Sequence, residues 1–104
     1  MYDNFQGKRY CSSGIRKLLR PEVRNEMWSM LDDYVNKDLV NEGVQTFILN
    51  RHGKGVVCLE IVLHPQNSLD KISKIIEGDI ALVDLKVLVV DEKDHVIMLL
   101  PEEL

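Results

Sequence analysis

The sequence predicts an α+β domain: an antiparallel sheet of four to six strands with one long amphipathic helix packed on one face. Three observations predict it. Val23, Met27, Met30, Leu31, Tyr34 and Val35 recur at three- and four-residue spacing, the period of one helix face. The stretches 44–63 and 85–100 each hold two apolar, β-rich runs around a polar turn, the pattern of a hairpin. A lone amphipathic helix must bury its stripe, and a single sheet offers a face to receive it.

The elements follow in chain order. Residues 1–7 are expected to fray. Lys8-Arg9-Tyr10-Cys11 reads as a short strand ended by Ser12-Ser13-Gly14. Pro21 is well placed in a first helical turn, and Glu22 suits the positive end of the helix dipole. The helix is expected over about 21–38, with Trp28 at the edge of its stripe and Asn25, Asp32, Asp33 and Lys37 on the other side. Val44–Leu49 is β-branched and aromatic, 50–55 is turn chemistry with two glycines, and Val56–Leu63 is the returning strand, ended by Pro65. Residues 66–83 fit two readings. Ser68 caps a short helix carrying Leu69, Ile72, Ile75 and Ile76 and closed by Gly78, or 72–76 is a strand; the residues alone favour the helix slightly. Leu85–Val90 and His95–Leu100 are apolar at nearly every position, so the pair is expected to be covered on both faces or central.

At 104 residues, the chain is one domain, 1–104, with a single core cluster. An apolar share of 45% is too high for a disordered chain, and 29% charged residues is too high for a membrane protein. No apolar run approaches the roughly 18–20 residues that span a bilayer. The opening residues carry no leader-like apolar stretch, and Cys11 and Cys58 are too few for a disulfide scaffold. A cytoplasmic protein with reduced thiols is expected. Lys8 and Arg9 beside Cys11 would favour a thiolate, but a packed thiol is the commoner state.

The formal charge of −4 hides an asymmetry. Residues 1–26 hold six Lys/Arg against three acids, or +3, and residues 27–104 hold seven against fourteen, or −7.

Few residues point to chemistry. His52, His64 and His95 have no i, i+4 partner and no paired cysteines, so ligand spacing for zinc is missing. Ser12, Ser13, Cys11 and the histidines supply nucleophile and base types, but no spacing joins them. Gly53-Lys54-Gly55 is too short to cradle phosphate and suits a hairpin turn. Asp91, Glu92 and Asp94 crowd one turn, yet the ligand series of a calcium loop and its closing Glu are missing, which leaves a solvated turn. Trp28, Met27 and Met30 fit a core more readily than a partner patch. No cofactor or metal is expected.

Two blocks carry a resemblance. The first is Arg9-Tyr10, Gly14-Ile15, Pro21-Glu22, Met27-Trp28 and Leu31-Asp32-Asp33. The second, more specific, is Val89-Val90-Asp91, Asp94-His95, Met98-Leu99-Leu100 and Glu102-Glu103. Gln45, Phe47 and His64 match loosely. Together they resemble the domain of unknown function nine-sixty, small proteins of Gram-positive bacteria, their plasmids, prophages and islands. In that family the stretch matching 66–83 looks strand-like. The resemblance implies a mobile-element setting and brings no catalytic residues.

The leading expectation is therefore a non-enzymatic inhibitor that binds a host defence nucleoprotein, such as a CRISPR RNA-guided nuclease. Asp79, Asp84, Asp91, Glu92 and Asp94 would meet its basic groove. The alternative is a nucleic-acid-binding regulator contacting phosphates through Lys8, Arg9, Arg16, Lys17, Arg20 and Arg24, although no reading element accompanies them. A small hydrolase or nuclease using His64 or His95 ranks third.

Overall fold

A computed structural model describes residues 5, 7–36, 43–53, 55–62, 72–78 and 84–104. The elements are β1 (Lys8–Cys11), α1 (Ser13–Leu18), α2 (Pro21–Asn36), β2 (Val44–Gly53), β3 (Val56–Val62), β4 (Ile72–Glu77), β5 (Asp84–Asp91) and β6 (His95–Leu99), followed by a 3-10 turn at Pro101–Glu103. The six strands form one sheet in the order β1-β6-β5-β2-β3-β4. Four pairings are antiparallel; β1 alone runs parallel to its neighbour, with Lys8 opposite His95.

The expected α+β class is what the chain adopts. α2 buries Val23, Met27, Met30, Leu31 and Tyr34, while Trp28 and Val35 pack at the edge of the core. They meet Phe47, Leu49, Val57, Leu59, Ile61, Val87, Val89, Val96 and Met98 on one face of the sheet. The molecule measures 40 × 32 × 21 Å. Its shortest dimension leaves room for about one helix layer on one sheet.

Several local expectations are corrected. Residues 72–77 form β4 rather than a helix: Ile76 packs under the helix layer opposite Val57, and tertiary pairing with β3 decides a stretch with little periodicity of its own. Ser68 and Leu69 lie outside the described residues. Phe5 does not fray; it is fully buried in the core cluster. The chain after β1 coils into α1, because the Ser12 hydroxyl accepts the Ile15 N–H at 3.1 Å and caps it. Pro21 then disfavours helical backbone at Arg20 and separates α1 from α2. One expectation holds, since β5 and β6 are interior strands of the sheet: Val87, Val89, Val96 and Met98 are buried on the helix face, and on the other face Leu99 is buried while Leu88, Val90 and Ile97 are half-buried. The hairpin turn is narrower than expected, since β2 runs to Gly53 and β3 resumes at Val56, with Gly55 at φ +77°.

Candidate functional site

The predicted acidic residues do not form one patch. Asp84 opens β5 and Asp91 closes it, so the length of the strand, about 24 Å at the usual rise, lies between them. Asp79 lies outside the described residues. Asp84 lines a shallow open depression of about 220 Å³ with Ile48, Asn50, Leu85 and Lys86.

At the other end, Asp91, Glu92 and Asp94 share the β5–β6 turn. Asp91 is occupied locally. Its Oδ1 accepts the Lys93 N–H at 2.9 Å and its Oδ2 accepts the Phe5 N–H at 3.3 Å. Lys93 sits in the left-handed region at φ 74°, which the Asp91 carboxylate stabilises. The Glu92 N–H donates to the His95 carbonyl at 2.9 Å, and the Asp94 N–H to the Glu92 carbonyl at 3.0 Å. Gly7 packs against the turn so closely that a Cβ there would stand 2.9 Å from the Asp94 carbonyl oxygen. The outcome is a fixed turn from which Glu92 and Asp94 project into solvent.

The basic residues divide in the same way. Arg9 pairs with Asp32 of α2, with its Nη1 also 3.3 Å from Asp32 Oδ2, and lies over the Trp28 ring at 5.0 Å. Arg24 donates from Nε to the Leu19 carbonyl at 3.2 Å. Lys8 is exposed on β1, away from the helices. Arg16 and Lys17 in the last turn of α1, and Arg20 just after it, are exposed and make no ion pair among the described residues.

The remaining candidates for chemistry are dispersed. Cys11 and Cys58 are free thiols on strands separated by three others, roughly 19 Å apart and beyond disulfide reach. His95 meets the Tyr10 ring edge-on at 5.6 Å. His52 is on β2, and His64 is outside the described residues. Among the described residues no three His, Cys, Asp or Glu side chains come together as a metal site, and no helix is long and apolar enough to cross a membrane.

One cluster had no advance signal beyond Ser12 preceding Ser13-Gly14. Ser12 Oγ donates to Glu103 Oε1 at 2.6 Å, and Glu103 also accepts the N–H groups of Leu100 at 2.8 Å and Gly14 at 3.3 Å. The Ser12 hydroxyl first, then the Leu100 amide, hold the Glu103 carboxyl below its ordinary range. No described histidine adjoins this pair, and the hydroxyl is already committed to capping α1, so the cluster is a structural clasp.

Fold and site together define a two-layer α+β domain with helices on one face of a six-stranded sheet and charged turns at its ends. The chain belongs to the family described as Staphylococcal protein of unknown function (DUF960), whose sequence pattern matches residues 8–103. Its fold is similar to that in the crystal structure of a protein of unknown function from Enterococcus faecalis, with a TM-score of 0.80 at 19% identity over 100% of this chain and 98% of that one. None of the curated proteins matches the chain.

Proposed function

We propose that the chain is a non-enzymatic interaction protein of mobile-element type that inhibits a host defence nucleoprotein by occupying its surface, a CRISPR RNA-guided nuclease being the specific partner. The observation that carries this reading is the fixed β5–β6 turn. Asp91 spends its carboxylate on the Phe5 and Lys93 amides, which leaves Glu92 and Asp94 presented on backbone that is already ordered. A preordered turn loses little conformational freedom on binding. Carboxylates at fixed positions suit a basic nucleic-acid groove, where charge complementarity steers docking. The mobile-element setting comes from the family resemblance.

The test uses purified protein, a purified RNA-guided nuclease and a labelled DNA target. Inhibition of cleavage by the wild type, relieved about tenfold or more by Glu92→Lys with Asp94→Lys, is the expected result for two charge reversals at a docking contact. An unaffected nuclease that also fails to bind the protein ends the reading.

A second reading rests on Arg16, Lys17 and Arg20, three exposed cations without ion pairs among the described residues. It makes the chain a nucleic-acid-binding regulator. Gel shifts at two salt concentrations separate the readings, because phosphate contacts weaken steeply with salt.

A further inference from the structure

We draw no further inference here: the strongest candidate, the outer edge of β4 at the end of the sheet, where Ile75 is exposed, carries nothing because nothing in the structure shows what covers it.

Discussion

Ser12 and Glu103, from opposite ends of the described chain, are joined by a hydrogen bond of 2.6 Å. The same serine caps α1 through the Ile15 N–H, and the same carboxylate holds Leu100 and Gly14. One pair therefore fastens the 3-10 turn after β6 to the helix after β1.

That clasp makes stability depend on pH. Glu103 is held below its ordinary pKa in the fold, so its contribution is fully present above the unfolded carboxylate range, about 4.3, and is lost as pH falls through the lower folded value. Urea midpoints of the wild type and Glu103→Gln should differ near neutral pH and converge below about pH 4. Ser12→Ala should move the Glu103 titration upward in carboxyl NMR, since it removes the largest cause of the shift. Loss of the helix cap should cost about 1 kcal/mol. An unmoved Glu103 titration would contradict the clasp.

Phe5 is the residue by which the amino-terminal segment is anchored. It is fully buried although it precedes every regular element. Phe5→Ala should destabilise the domain by about 3–5 kcal/mol, the usual range for emptying a buried phenylalanine site. Denaturant titration measures it, and a loss below about 1 kcal/mol would place the ring outside the core.

Glycine is required at position 7 for lack of space. A Cβ there would lie 2.9 Å from both the Asp94 carbonyl oxygen and His95 Cα, which are backbone atoms with little room to move. Gly7→Ala should cost about 1–3 kcal/mol and loosen the β5–β6 turn. At Gly55 a Cβ meets nothing within 4 Å, and only the left-handed backbone at φ +77° resists alanine. That substitution should cost about 1–2 kcal/mol. Amide exchange at Lys93 and Asp94 distinguishes the two, rising in Gly7→Ala and staying constant in Gly55→Ala.

Arg9 contributes little to stability but shields a chromophore. Its pair with Asp32 and its place over Trp28 are at the surface, where such contacts are worth about 0.5–1 kcal/mol together. Because Trp28 is the single tryptophan, Arg9→Ala should shift the emission spectrum measurably while lowering stability by no more than about 1 kcal/mol. A spectrum unchanged by the substitution would separate the guanidinium from the ring.

What could be read beforehand was what local chemistry dictates. The stripe from Val23 to Tyr34 and the glycines at 53 and 55 each specify their element without outside help. What could not be read depends on distant partners. β4 is a strand because β3 is beside it, and Phe5 is buried because the helix–sheet core accepts it. The acidic set divided for the same reason. Asp84 and Asp91 look adjacent in composition, but a strand holds them at its two ends, and only the amides of Phe5 and Lys93 show that Asp91 serves the fold. Arg9 likewise reads as a free cation until α2 brings Asp32 and Trp28 to it.

The parallel pairing of β1 with β6 has a consequence for synthesis. Among the described strands β1 is made first, yet its one neighbour in the sheet, β6, is made last. At roughly 5–20 residues per second, the ~90 residues from Lys8 to His95 keep β1 waiting roughly 5–18 s on the ribosome. During that interval Tyr10 and Cys11 have no strand to join, and the nascent chain relies on the charges of Lys8 and Arg9 to deter wrong pairings at this edge.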